Sequence, residues 1–86
     1  MSNEYLLLKW GTLKGWSDLR ENPAAIAALD RYHDAPVSMS AMAQSDTPDQ
    51  KQAICDLIDA INGPITDDWS GENMTKEEAK RYVLEY

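Results

Sequence analysis

Lys9-Trp10-Gly11-Thr12-Leu13-Lys14-Gly15-Trp16 brings together residue types suited to recognising a phosphorylated aromatic molecule. Tryptophan faces stack on bases, at about 1–3 kcal/mol per base in single-strand complexes. Lysine ammoniums are point charges for phosphate. Glycines admit close backbone approach, and their N–H groups can face an anion. The Thr12 hydroxyl would fix a ligand's orientation. Trp69, between Asp68 and Ser70, is a third ring that would complete either an aromatic cage or the core. Ser38-Met39-Ser40-Ala41-Met42 would add hydroxyls and soft thioether contacts, or pack as a short helix. The tryptophans also have a plainer use. The chain has no phenylalanine, so tryptophans are its bulkiest apolar residues. Trp10 and Trp16 would then fill the core while Lys9 and Lys14 point to water. The sequence leaves both uses open.

Most catalytic chemistry lacks its residues. His33 is the only histidine and Cys55 the only cysteine. Nothing in the sequence orients them as a nucleophile–base pair, and no enzymatic activity is expected. Cys55 reads as a small buried hydrophobe, and His33 as a helix-end residue favoured by the negative end of the dipole. There is no zinc spacing, phosphate-binding loop or dinucleotide fingerprint, and no cofactor is expected. Thr66, Asp68, Ser70, Gly71 and Glu77 match a calcium loop in part. Threonine stands where the first aspartate belongs, and Gly63-Pro64 breaks the entering helix early. The segment reads instead as an acidic turn before a capped helix, with no metal expected.

Net charge is −7 and its distribution is uneven. Residues 1–20 carry Lys9, Lys14 and Arg20 against Glu4 and Asp18, a net of +1. Residues 21–86 carry five basic and thirteen acidic groups, a net of −8. This balance opposes direct binding to nucleic acid or anionic membranes, which need a basic footprint. It suits solubility, or a surface that meets a basic protein. No apolar run, Leu6 to Leu8 included, approaches the ~20 residues that span a bilayer. The first residues lack a signal-peptide pattern, so a cytoplasmic location is expected. The 86 residues suffice for one small domain, 1–86. A homodimer would add to its modest core.

Several elements must position these groups. Thr47-Pro48-Asp49-Gln50 is a capping box with proline at the first helical position. Ile54, Leu57, Ile58 and Ile61 follow at one helical face. Asn62-Gly63-Pro64 stops that helix, with Gly63 free to turn left-handed. Thr75-Lys76-Glu77-Glu78 is a second capping box, and Ala79, Tyr82, Val83 and Tyr86 repeat the spacing, so the tyrosines dock this helix on the core. Asn22-Pro23 starts a third helix through Tyr32, with Ile26 and Leu29 as core contacts. Val37 to Gln44 suits a strand or a short helix begun at Ser38. Tyr5 to Trp10 suits a buried strand. Its partner is either Thr12 to Trp16, across a Gly11-Thr12 type II′ turn, or Ile65 to Trp69, unless the sheet crosses a dimer interface. The expected fold is α+β and mostly helical, with three to four helices and a short N-terminal strand or hairpin. An all-α fold is the alternative.

LLLKWGTLKGW, SMSAMAQSDTPDQK and DDWSGENMTKEEAKRYV together resemble small accessory proteins of phages and mobile bacterial elements. The resemblance implies context and brings no catalytic residues. Such proteins disable host defence by stoichiometric binding, either by sequestering a nucleotide signal or by blocking a defence protein as anti-CRISPR proteins do. Two functions follow as expectations. In the first, a non-enzymatic binder holds a nucleotide-like or other phosphorylated small molecule through Lys9, Trp10, Gly11, Thr12, Lys14, Trp16 and Trp69. In the second, an acidic inhibitor binds a basic host protein.

Overall fold

The computed structural model of the protein describes residues 4–17, 19–35 and 46–86. Val37 to Gln44, whose conformation the sequence left open, falls outside them.

The apolar start forms β1 (Leu6–Lys9), and β2 (Thr12–Trp16) returns antiparallel beside it. The turn between them is Trp10-Gly11, with φ of 54° and 74°. Positive φ at both central residues is the mark of a type I′ turn, whose twist matches that of the flanking strands. The expected Gly11-Thr12 turn is therefore one residue out of place. Thr12 already pairs with Lys9, and its hydroxyl donates to the Lys9 carbonyl at 2.8 Å, closing the turn. Gly11 is required twice over, by its φ and because a Cβ there would collide with the Cβ of Tyr86. The register shifts once, so that Lys14 bulges between the Leu7–Gly15 and Leu8–Leu13 pairs.

β3 (Ile65–Asp67) lies parallel on the other side of β1, and β4 (Asn73–Met74) pairs antiparallel with β3. The order is β2-β1-β3-β4. Both candidate partners of the first strand are thus its neighbours, and the sheet is completed within one chain. A parallel pair needs a long crossover, which α1 (Pro23–Asp34) and α2 (Pro48–Ala60) supply before β3. α3 (Lys76–Glu85) follows the sheet. The fold is α+β and mostly helical. No helix among the described residues is long and apolar enough to cross a membrane.

The helix starts are those the sequence specifies. Thr47 accepts from the Gln50 amide while Gln50 accepts from the Thr47 amide, and Asn22 and Thr75 cap α1 and α3. α2 ends differently from expectation. Ile61 is extended, and Gly63 is not among the residues with positive φ. Gly63 is small for another reason, since a Cβ there would collide with the Glu4 carbonyl. Glu4 is itself buried and acts as a staple. Its Oε1 accepts from Asn22 Nδ2 at 2.8 Å and from the Asn62 amide at 3.1 Å. Asn22 Nδ2 also donates to the Ala60 carbonyl at 2.8 Å. One carboxylate and one amide therefore join the start of β1, the start of α1 and the end of α2.

The core is aliphatic. Leu6, Leu8, Ile54, Leu57, Ile58, Ile61, Ile65 and Val83 are its largest fully buried side chains. On α1 the residues buried completely are Ala25 and Ala28, with Ile26 and Leu29 partly buried beside them. Ile26 and Leu29 are core contacts, as their spacing predicts, and they seal its edges where the alanines let α1 approach closely. No tryptophan belongs to this core.

Candidate functional site

The three tryptophans stand at the surface. Trp10 is 50% exposed, Trp16 37% and Trp69 71%. Parallel pairing of β1 and β3 sets Leu8 opposite Asp67. Trp10 and Trp69 each lie two residues beyond that pair, so they emerge at the same level on neighbouring chains. Trp69 is held in place by its own loop. The Asp68 amide donates to the Leu8 carbonyl at 2.7 Å, and the Trp69 amide donates to Asp67 Oδ1 at 2.9 Å. The Gly71 amide closes the loop on the Asp67 carbonyl at 2.7 Å.

The two indoles meet with centroids 6.2 Å apart and planes inclined by 38°. Lys9 Nζ lies 4.6 Å from the Trp10 centroid and 5.7 Å from that of Trp69, within cation–π range of both. Tyr86 closes the other side of the turn, its Cβ against Gly11 and its ring edge-on to Tyr82 at 5.7 Å. The tip of the sheet is therefore an open patch of Trp10, Trp69 and Tyr86 with one ammonium over the indoles. Asp67, Asp68 and Glu72 come from the loop that carries Trp69.

Trp10 is the only non-glycine residue with positive φ among the described residues. Left-handed backbone costs an ordinary L-residue about 1–2 kcal/mol. Asparagine or glycine suits the first turn position far better. The chain instead holds a large, half-exposed indole there.

Lys14 and Trp16 belong to another place. Trp16 lies opposite Leu6, four residues along β1 from Trp10, about 13 Å at the rise of a strand. Its ring meets His33 edge-on at 5.8 Å, and His33 meets Tyr32 at 5.6 Å. The Tyr32 hydroxyl donates to Asp46 Oδ1 at 3.2 Å. Burial, and then the Asp46 charge, push the Tyr32 hydroxyl up to about 12. Burial also raises the Asp46 carboxyl, outweighing the hydrogen bond from Tyr32 and the charges of Lys14 and Lys51.

The sequence-derived site residues thus fall into two groups. Lys9, Trp10 and Trp69 come together at the turn, with Gly11 packed beneath Tyr86. Lys14 and Trp16 lie toward the other end of β2. Thr12 is buried with its hydroxyl engaged, and Gly15 packs against Leu7. Ser38 to Met42 fall outside the described residues. Tyr82 packs on the core as its spacing predicts, whereas Tyr86, expected to dock beside it, stands 58% exposed at the turn. Cys55 is buried on α2, and burial raises its thiol. The Thr66-to-Gly71 segment forms the β3–β4 hairpin, with the Thr66 hydroxyl donating to Asn73 Oδ1 at 2.9 Å. No group of three or more His, Cys, Asp or Glu among the described residues is placed to hold a metal ion. No protein-family model, curated protein or solved structure matches the chain.

Proposed function

We propose that the protein is a non-enzymatic binding module that docks on another protein through the Trp10–Trp69 patch. The observation that carries this reading is Trp10 itself. A strained backbone position that favours asparagine or glycine displays a half-exposed indole beside a second, more exposed one. Strain of this kind is kept where function selects it. Small-molecule sites are concave and enclose most of their ligand. Trp10 and Trp69 instead project from two turns, as aromatic anchors do when they enter a partner's pockets. In bacterial cells, the context implied by the resemblance to phage accessory proteins, the partner would be a host defence protein.

The phosphorylated-ligand reading has one observation in its favour, the open outer face of Trp69. The gap between the rings is less suitable. A base intercalated between parallel rings needs about 7 Å, two stacking distances, whereas these centroids are closer and the planes inclined. Lys9 is engaged over the indoles, and three carboxylates neighbour Trp69 in sequence.

The test is capture from bacterial lysate by the immobilised protein, compared with three single variants, each checked for native circular dichroism. A partner retained by wild type and Trp16→Ala, but lost in Trp69→Ala and Trp10→Asn, supports docking through the turn patch. Capture indifferent to Trp10 and Trp69 removes it. Saturable tryptophan quenching by a nucleotide, abolished by Trp69→Ala, would favour the small-molecule reading instead.

A further inference from the structure

We infer that the Trp10–Trp69 pair is a seat for a cationic side chain, and that its occupant in the complex is an arginine from a basic segment of the partner. The inference rests on the docking reading above and names the chemistry it selects.

The protein's own lysine shows what the seat accepts. Lys9 Nζ lies over both indoles, nearer Trp10 than Trp69. The inclined rings make an open V, and the Trp69 face is the less covered of the two. Indole faces are electron-rich, and a cation within about 6 Å of the centroid is attracted to them. An ammonium is compact and strongly hydrated, whereas a guanidinium is planar, less hydrated and able to lie flat on an indole. Arginine is therefore the better occupant of a broad aromatic face, and Lys9 is the resident cation it displaces or sits beside.

The neighbouring charges choose the same sign. Thr66-Asp67-Asp68-Trp69-Ser70-Gly71-Glu72 holds three carboxylates and no base. Asp68 and Glu72 are exposed. One Asp67 oxygen is used by the Trp69 amide. Exposed carboxylates on the loop that carries Trp69 offer acceptors of the kind a guanidinium fork matches. Against these three carboxylates the segment itself sets no base, and Lys9 is the cation over the rings, so the loop's own charge disfavours a phosphate and favours an arginine. The chain's charge of −7 extends that attraction to the encounter with a basic partner.

The test titrates the full chain with an acetylated, amidated (Gly-Arg)4 peptide and reads tryptophan fluorescence. Matching lysine and citrulline peptides separate cation shape from charge and from chain length. The arginine peptide is expected to bind about tenfold more tightly than the citrulline peptide and measurably more tightly than the lysine peptide. Trp69→Ala should weaken it about tenfold, and Trp16→Ala should leave it unchanged. Lys9→Gln, which vacates the seat, should tighten binding, whereas Lys14→Gln makes the same change of net charge and should not.

Equal binding of arginine and lysine peptides with indifference to Trp69, or equal tightening by both lysine variants, would reduce the effect to bulk charge and overturn the seat. A fluorescence change that follows protein concentration without peptide would assign the patch to a second copy of the chain and overturn it as well. Lysate capture that still depends on Trp69, beside an indifferent arginine peptide, would overturn the cation seat alone. Capture indifferent to Trp69, with no peptide response, would remove the docking surface too.

Discussion

At the turn of the β1–β2 hairpin, Trp10 stands half exposed beside Trp69 with Lys9 over both rings. Toward the open end, Trp16 leans on His33, His33 on Tyr32, and the Tyr32 hydroxyl donates to Asp46. Both regions pair tryptophan with lysine within one short stretch of sequence. Their connections differ. The chain from Trp16 to Asp46 fastens β2 to α1 and to the residue before the α2 cap. Trp10 and Trp69 meet one another at the tips of two turns, and neither belongs to the buried core. Residues of one type thus serve as fasteners where they link elements, and as candidate contact groups where they project from turns.

The largest effect expected is on binding. Anchor residues of this kind cost about 2 kcal/mol or more when truncated, so Trp69→Ala should weaken partner capture about thirtyfold with native circular dichroism. Trp10→Asn should weaken capture similarly while raising stability by about 1 kcal/mol, because asparagine tolerates the left-handed backbone. A fall in the urea midpoint of Trp10→Asn would place Trp10 among the fasteners and break the distinction. Trp16→Ala should do the reverse, lowering stability by about 1–2 kcal/mol through lost aromatic contact and area and leaving capture intact.

Much of this fold was legible from local chemistry. Thr47-Pro48-Asp49-Gln50 and Asn22-Pro23 mark helix starts because capping needs specific side chains at fixed offsets. Ile54, Leu57 and Ile58 mark a buried face because they share one side of a helix. The turn was less legible. Gly11 announces positive φ, but nothing local says that Trp10 adopts it too. Three neighbouring residues, Lys9, Trp10 and Trp16, looked like one site because distance along the chain hid the strand geometry that parts Trp16 from the others. The approach of Trp10 to Trp69 depends on the β1–β3 register, a long-range pairing with no local signature. Gly63 looked like a helix stop, whereas its constraint is the Glu4 carbonyl, far away in sequence.

Smaller effects sharpen the second region. Tyr32→Phe removes the hydroxyl that reaches Asp46 and should cost about 1 kcal/mol by urea unfolding. The folded Tyr32 hydroxyl titrates near 12, above its ordinary value of 10.0. Its contribution is therefore complete below pH 10 and lost as pH rises through about 12. Absorbance titration of wild type against Tyr32→Phe should show one missing late-ionising tyrosine. Asp46 is raised as well, so its contribution is present below the ordinary aspartate range and lost as pH rises through the raised folded value. Asp46→Asn should keep an acceptor for Tyr32, remove that pH dependence and leave neutral-pH stability equal or higher. Lys14→Ala removes a charge that holds Asp46 down, and should move that carboxyl further up in an NMR titration without affecting capture.

The parallel pairing of β1 with β3 sets an order of events during synthesis. Leu6 must wait for Ile65, about 60 positions later, before that side of its strand is covered. Closing so long a loop is entropically costly and slows assembly relative to local turns. The hairpin can form as soon as its residues leave the ribosome, but the β1 edge and the apolar faces of Leu6 and Leu8 then remain open while both helices are made. A nascent chain halted before residue 65 would leave one edge of the central strand unpaired, a hazard for association with other chains. The segment that brings Trp69 beside Trp10 is the same one that ends this exposure, so the aromatic patch and the protected sheet are completed together.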